Sequence, residues 1–257
     1  MNPDVVLAIP ALVESGTLPP AAALAWVARV TPLFSWQEVP SPNLAYDYIL
    51  LLGILLVAAD LAYCEVQLGL PASHRAWHLL IVAGLAGLAA FRCDSRVAFS
   101  LSLTTFAAWR GVALADAGTA RAWGGESGAW RWNAIACGIL FAGLGLALAH
   151  WRRKAHFEPV AVHLGCLLAL GGIATGIDDP AWGAALLLAG AALAGVAYRT
   201  RRFPLFAYGV VAAYAGVTRL LAGLSHDAAL GCLWFGASSG LVIAGLLAAH
   251  RRMKEPA

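Results

Sequence analysis

Two arginines stand at matching places within apolar segments of the chain. Arg110 lies in "TTFAAWRGVALA" (104–115) and Arg219 lies in "AYAGVTRLLAG" (213–223). A charge inside a membrane helix is costly, and it usually faces the helix bundle or a water-filled cavity. Two interpretations stay open: a cation that faces inward to bind an anion or an acid, or a long side chain that reaches the lipid headgroups.

Asp60 is the most deeply placed acid, in "LLVAADLAYCEV" (55–66). A carboxylate in such surroundings must be protonated, paired or in contact with water. Arg110 is a candidate partner, because both residues fall in the outer half of their spans. The sequence therefore predicts a substrate-binding region made by Arg110, Arg219 and Asp60, with a structural ion pair as the alternative.

A serine motif occurs near the C-terminus. The segment "FGASSGLVIAG" (235–245) contains G-x-S-x-G, centred on Ser238. The motif suggests a serine hydrolase, but its soluble form needs a strand-turn-helix elbow, and nothing in the sequence ties a histidine to Ser238. Gly236, Gly240 and Ala244, spaced by four residues, also fit a close helix-packing face.

The histidines are candidate ligands of a metal ion or a haem. His74 and His78 are four residues apart, so they share a helix face and, with Glu65, could bind zinc or copper. His163 is a candidate haem ligand. A bis-histidine haem bundle would favour deep histidines at matching places in both halves, and the sequence has none. We therefore expect no metal site and no cofactor.

The acidic pair in "GIDDPAWG" (176–183) has a simpler explanation than cation binding. An aspartate before a proline is typical of a helix start, where Asp179 caps and Pro180 takes the first helical position. We predict that a helix begins there.

The composition places all these residues in a membrane protein. The chain of 257 residues is 61% hydrophobic and 12% charged, and its mean hydropathy is +0.74. Soluble domains carry about 25% charged residues. No Walker loop, dinucleotide fingerprint or H-E-x-x-H motif occurs, and no long basic arm indicates a nucleic-acid partner.

Apolar runs long enough to cross a bilayer recur along the chain. They predict an all-α integral membrane protein, because a lipid-exposed backbone without alternating strand patterns must be helical. We predict eight transmembrane helices, at 45–67, 76–91, 97–115, 132–151, 159–177, 181–198, 204–223 and 228–249.

The distribution of basic residues orients these spans. Twelve of the 17 Lys and Arg residues fall before the first span, in every second loop, or after the last span: Arg29, Arg92, Arg96, Arg152, Arg153, Lys154, Arg199, Arg201, Arg202, Arg251, Arg252 and Lys254. The positive-inside rule then places both termini in the cytoplasm, an N-in/C-in topology. The predicted location is the bacterial cytoplasmic (inner) membrane.

Residues 1–44 form a cytosolic or interfacial segment in this interpretation. Two short helical patterns, at about 5–15 and 20–30, flank "SGTLPP". A ninth, short span at 20–35 is the alternative, and Arg29 and Pro32 oppose it.

The chain shows signs of an internal duplication. "AWHLLIVAGLAGLAAFR" (76–92) resembles "AWGAALLLAGAALAGVAYR" (181–199), and "ALAHWRRK" (147–154) resembles "LAAHRRMK" (247–254). Arg110 and Arg219 follow these segments at similar distances. We predict two parallel four-helix repeats, residues 45–155 and 156–257, related by an axis along the membrane normal, as in some transporters.

The histidines His150 and His250 end the matching spans beside basic clusters. Their position at the cytoplasmic edge favours contact with lipid phosphate.

The N-terminal "LVESGTLPPAAALAWV" (12–27), followed by Ala/Leu/Gly-rich spans, resembles a group of uncharacterised bacterial polytopic membrane proteins. These begin with a short cytosolic segment of the type L-v-x-x-G-x-[IL]-x-x-x-x-A. "RRFPLFAYGVVAAYAG" (201–216) is also similar to segments of such proteins. The resemblance implies many helices and brings no activity and no site residues.

Three functions are open at this point. The first is a non-enzymatic transporter-like or channel-like protein for a small solute or ion, with Arg110, Arg219 and Asp60 in a polar outer site. The second is a scaffold or subunit of a membrane complex, bound to a membrane-protein partner or a second copy. The third is an intramembrane hydrolase that uses Ser238. The arrangement of the two arginines discriminates between the first two: convergence on one cavity favours transport.

Overall fold

The computed structural model of the protein describes residues 44–68, 77–116, 126–223 and 228–254. The interfacial segment predicted at the N-terminus falls outside the described residues, except for Leu44. His74 is also outside them.

The described residues form eight α-helices and one short 3-10 helix, and they include no strand. Their order along the chain is α1 (Leu44–Gln67), α2 (Trp77–Cys93), α3 (Arg96–Asp116), α4 (Glu126–His150), the 3-10 helix (Ala155–Phe157), α5 (Glu158–Ala174), α6 (Pro180–Arg199), α7 (Phe203–Ala222) and α8 (Ala228–Lys254).

The all-helical class is therefore confirmed, and one helix corresponds to each predicted span. Five helical segments are long and apolar enough to cross a membrane: Tyr46–Gln67, Gly128–His150, Ala155–Ala174, Pro180–Arg199 and Phe203–Ala222. The apolar helix α2 has 17 residues and is shorter than these. Helix α3 is less apolar, because Ser100, Ser102, Thr104 and Thr105 follow one another along it.

Tight turns join α4 to α5 and α6 to α7. Helices α4 and α6 end in the same Schellman motif: Arg153 N–H donates to Leu148 C=O, and Arg202 N–H donates to Ala197 C=O. The turn residue in each motif has a left-handed backbone, with φ of 51° at Arg152 and 55° at Arg201. The shared geometry makes both pairs antiparallel helical hairpins.

Glycines allow the two helices of the α6–α7 hairpin to touch along their backbones. A Cβ on Gly190 would lie 2.4 Å from Ala213 N, and one on Gly209 would lie 2.5 Å from Ala194 N. Gly216 is equally close to the backbone of Leu187, at 2.6 Å. No side chain fits at these positions, so the helix spacing depends on glycine.

The α4–α5 hairpin is built in the same way. A Cβ on Gly138 would lie 2.5 Å from Ala169 N, and one on Gly165 would lie 2.6 Å from Ala142 N. This seam joins helices on the two sides of the boundary predicted between residues 155 and 156.

Contacts between distant residues place the turns at one end of the molecule, here named the basic end. Tyr46 Oη at the start of α1 donates to Cys93 Sγ at 3.2 Å. Lys154, after α4, bonds to Asp94, between α2 and α3. The final turn of α8 joins this end, because the His250 ring packs on Phe203 with centroids 4.3 Å apart.

The main core lies among α1 to α5 and includes an aromatic cluster near the basic end. The rings of Phe99 and Phe157 stack with centroids 4.5 Å apart, and Phe91 meets both edge-on. In contrast, only 6% of the apolar window of α1 is buried within the chain. The outer surface of the molecule is thus apolar, as expected for a membrane protein.

Candidate functional site

Arg110 lies at the end of the molecule opposite the basic end, and its side chain contacts α4. Its Nε donates to Asn133 Oδ1 at 3.4 Å. Asn133 is buried, and its Nδ2 donates to Ala107 C=O at 3.1 Å. Arg110 itself is exposed, and its Nη groups have no hydrogen-bond partner among the described residues. Among the described residues, the guanidinium is therefore anchored through its Nε alone.

The residue after Arg110 fixes this arrangement. A Cβ on Gly111 would lie 2.4 Å from the Trp130 ring, so the glycine lets α3 and α4 approach closely at this level.

Arg219 bonds to backbone carbonyls, whereas Arg110 bonds to a side chain. Arg219 Nε donates to Ile177 C=O at 2.9 Å, and its Nη2 donates to Asp178 C=O at 2.6 Å. These carbonyls belong to the turn between α5 and α6, three and four residues after the last residue of α5. Arg219 thus ties α7 to the turn between α5 and α6.

Arg131 is a third arginine at the same end. It lies just before the predicted span 132–151, whereas the structure places it inside α4. Its Nε donates to Thr175 Oγ1 at 3.3 Å, its Nη2 donates to Thr175 C=O at 3.3 Å, and its guanidinium lies 4.7 Å from the centre of the Trp182 ring. The tryptophans on either side of it in "WRW" are a sequence signal of the membrane interface.

The structure gives the three predicted site residues separate surroundings. Arg110 bonds to α4, whereas Arg219 bonds to the turn before α6, and no hydrogen bond within the described residues joins the two. Asp60 is exposed on α1, and the described part of the chain contains no ion pair between Asp60 and Arg110. The observed partner of Arg110 is Asn133, the only asparagine within the eight predicted spans.

Ser238 bonds to a tyrosine. Its Oγ lies 2.9 Å from Tyr214 Oη and also donates to Trp234 C=O in its own helix. His250 of the same helix packs on Phe203 instead. No described histidine makes a hydrogen bond to Ser238, so the geometry lends no support to a Ser–His dyad.

Glu65 and His78 form a pair at the start of α2. His78 Nδ1 lies 2.7 Å from Glu65 Oε2, and the His78 N–H donates to Glu65 Oε1 at 3.3 Å. The carboxylate thus satisfies a donor in the first turn of α2. Among the described residues, no group of three or more His, Cys, Asp and Glu side chains could hold a metal ion.

A buried ion pair connects two turns at the basic end. The side chains of Lys154 and Asp94 are 0% and 2% exposed, and they bond to each other. His156 Nε2 also lies 3.4 Å from Asp94 Oδ1. Both Asp94 and Lys154 have positive φ, at 53° and 52°. Sequence analysis assigned Lys154 to the topogenic basic cluster alone.

A cavity of about 490 Å³ opens beside this end. It lies between the first turn of α5, the α6–α7 turn and the last turns of α8. An ion pair between Glu158 and Arg202 forms part of its wall. The lining residues are Glu158, Pro159, Val162, His163, Arg201, Arg202, Phe203, Pro204, His250 and Met253.

Comparison of the chain with protein-family models, with curated proteins and with solved structures finds no match. The geometry of the two ends of the molecule is therefore the basis for a functional assignment.

Proposed function

We propose that the chain is a multi-pass protein of the bacterial cytoplasmic membrane with a transporter-like or channel-like function for a small anionic solute. The solute meets a polar layer at the end opposite the basic end. This layer comprises Arg110, Arg131, Asn133, Thr175 and Arg219, and Asp60 is added from α1, which packs against α3.

The exposed guanidinium of Arg110, whose Nη groups have no partner among the described residues, is the observation that supports this proposal. Arg131 and Arg219 are bonded to the ends of neighbouring helices. Arg110 has only its Nε bonded within the described residues, to Asn133. A guanidinium held on one side by a buried amide is positioned to bind an anion with its remaining donors. Arg110 and Arg219 share no partner among the described residues, so the convergence that would favour transport is not observed. In this proposal Arg110 alone contacts the solute, whereas Arg219 holds the α5–α6 turn in place.

The proposed topology keeps both termini in the cytoplasm. It is supported by the clustering of the basic turns with the final turn of α8 at one end. The proposed duplication is supported by the pairing of α2 with α3 and of α6 with α7.

Anion efflux from liposomes tests the function. Liposomes that contain the full-length protein are loaded with chloride, acetate or phosphate, and release is followed after dilution. We expect faster release of at least one anion than from protein-free liposomes. Arg110→Gln should slow it about tenfold, equivalent to the loss of about 1.4 kcal/mol of binding to the charged group.

The control variant is Arg251→Gln, which removes an exposed arginine at the basic end. It should leave the efflux rate unchanged. Release of all three anions at the protein-free rate, or equal slowing by both variants, would contradict the proposal.

A scaffold or subunit role is the second candidate, and the outer helices favour it. The window of α1 is 6% buried, and large apolar side chains of α8 such as Phe235, Leu241 and Ile243 are exposed. These faces suit a second copy or a membrane-protein partner as well as lipid. Light scattering of the detergent-solubilised protein, with Leu241→Ala as the variant, separates an oligomer from a monomer.

A further inference from the structure

The cavity at the basic end combines basic side chains with an apolar wall. Arg201 and Arg202 come from the α6–α7 turn, and His163 and His250 come from α5 and α8. Val162, Phe203 and Met253 supply hydrocarbon on the remaining sides. Three separate segments thus contribute to one site.

The charges in this cavity leave an excess of positive charge. Glu158 is its acidic residue, and it is bonded to Arg202. Arg201 is exposed. Its backbone N–H donates to Tyr198 C=O, but its guanidinium has no hydrogen-bond or ion-pair partner among the described residues. The cavity therefore presents one uncompensated guanidinium, which favours an anionic ligand.

His250 adds a polar group without a partner. Its Nδ1 is buried and makes no hydrogen bond with any described residue, although its ring packs on Phe203. A buried polar atom without a partner is costly unless a ligand or water satisfies it. A ligand that enters the cavity could supply that hydrogen bond.

The Schellman geometry places Arg201 at the cavity. With φ of 55°, Arg201 occupies the left-handed position that glycine takes at most such turns. A large cationic side chain at this position carries a conformational cost relative to the right-handed form. Arg152 has the same backbone conformation in the α4–α5 hairpin, so the place of Arg201 in the cavity lining, and not its φ, distinguishes the two arginines.

We propose that this cavity binds the phosphodiester headgroup of an anionic phospholipid. Arg201 and His250 hold the phosphate, and the first part of an acyl chain lies against Val162, Phe203 and Met253. The volume of about 490 Å³ falls within the range of about 300–1,000 Å³ for small-molecule sites. Basic pockets beside membrane helices suit such headgroups. The site is separate from Arg110, so its test does not depend on the proposed transport function.

The test uses the purified full-length protein in a neutral detergent. The midpoint of thermal unfolding is measured against increasing dioleoyl phosphatidylglycerol, and dioleoyl phosphatidylcholine serves as the neutral lipid. We expect saturable stabilisation by phosphatidylglycerol alone. Arg201→Asn should weaken the apparent affinity about tenfold, and His250→Gln should also weaken it.

Arg152→Asn is the matched control. Arg152 is an exposed arginine at the same Schellman position of the α4–α5 hairpin, outside the cavity lining. Asparagine tolerates the left-handed backbone, so both substitutions remove a charge without adding strain. The control should keep the wild-type affinity for phosphatidylglycerol.

Other outcomes overturn the proposal. Equal weakening by Arg201→Asn and Arg152→Asn would mean that general surface charge attracts the lipid. Equal stabilisation by glycerol 3-phosphate or inorganic phosphate would assign the cavity to a soluble phosphate compound. If Arg201→Asn does not fold, unchanged lipid affinity in His250→Gln overturns the proposed phosphate contact.

Discussion

Lys154 is the most completely enclosed charge among the described residues. It lies in a turn, yet its side chain is fully buried and bonds to Asp94. A buried ion pair gives little net stability compared with apolar residues, but the loss of one partner leaves a charge without compensation. Lys154 and Asp94 therefore act as a unit.

Lys154→Met should destabilise the fold by about 3–5 kcal/mol, because it leaves the Asp94 carboxylate buried without its lysine. The free energy of unfolding is measured in mixed micelles by tryptophan fluorescence. The double variant Lys154→Met/Asp94→Asn should recover most of the loss, since asparagine removes the charge and tolerates the φ of 53°. Equal losses in both variants would show that the lysine acts through packing alone.

At Arg152, a substitution is expected to raise the stability of the protein. Arg152→Gly should stabilise the protein by about 1 kcal/mol in thermal unfolding, because glycine adopts its φ of 51° without strain. Arg153→Gly removes the same charge from the next residue, which lacks a positive φ, and should give no gain. A gain in both variants would point to charge repulsion as the cause.

For single residues, the sequence predicted where a side chain lies along the chain better than which residue it bonds to. Arg110 and Arg219 were identified because a charge in an apolar run is conspicuous. Asp179 was predicted as a helix cap, and its Oδ1 accepts from Ala181 N–H at 2.9 Å. Short-range pairings such as this follow from local spacing. The bonds from Arg110 to Asn133 and from Lys154 to Asp94 join distant segments, which no local pattern encodes.

At the scale of the helices, glycine seams determine which elements pair. The close contacts of Gly138 and Gly165 join α4 to α5, and those of Gly190 and Gly209 join α6 to α7. Neighbouring helices in lipid associate by packing rather than by exclusion of water, so backbone contact of this kind matters more than it does in a soluble bundle.

Gly190→Ala should separate α6 from α7 and destabilise the protein by about 1–3 kcal/mol, because its Cβ would lie 2.4 Å from Ala213 N. Gly195→Ala on the same helix is the control, since no atom lies within 4 Å of its Cβ position. It should be neutral or stabilising by up to about 1 kcal/mol, through helix propensity. The free energy of unfolding in mixed micelles is measured for both variants. Similar effects in the two would contradict a role of the glycine seam in stability.

Helix positions were predicted closely and helix pairing was not. The eight predicted spans correspond to the eight helices, and α4 shows the largest difference, with its start at Glu126 instead of residue 132. Apolar runs and basic turns mark helix ends strongly. The glycines of the seams are scattered among many others, so the sequence alone does not show which ones meet.

At the scale of the whole molecule, the basic turns and the end of α8 form one surface. If this surface faces the cytoplasm, reporter fusions should show it. Green fluorescent protein fused after Ala257 should fluoresce in cells, and alkaline phosphatase at the same place should be inactive, because phosphatase requires export. Active phosphatase there would overturn the proposed orientation.

The cavity at the basic end could not have been predicted from the sequence. Its residues come from α5, the α6–α7 turn and α8, and Glu158 and His250 are 92 positions apart. The position of His250 already favoured contact with lipid phosphate, but Arg201 and Arg202 have a sufficient explanation in topology. Their second role becomes visible only when the turns meet.

The tight α6–α7 turn also limits how two copies of the chain could associate. Domain swapping requires a hinge that can extend so that one element crosses to a partner. Only Thr200, Arg201 and Arg202 connect α6 to α7, and opening them would break the Schellman bonds and expose the glycine seam. An oligomer of this protein would therefore keep each hairpin intact and form through the outward faces of helices such as α1 and α8.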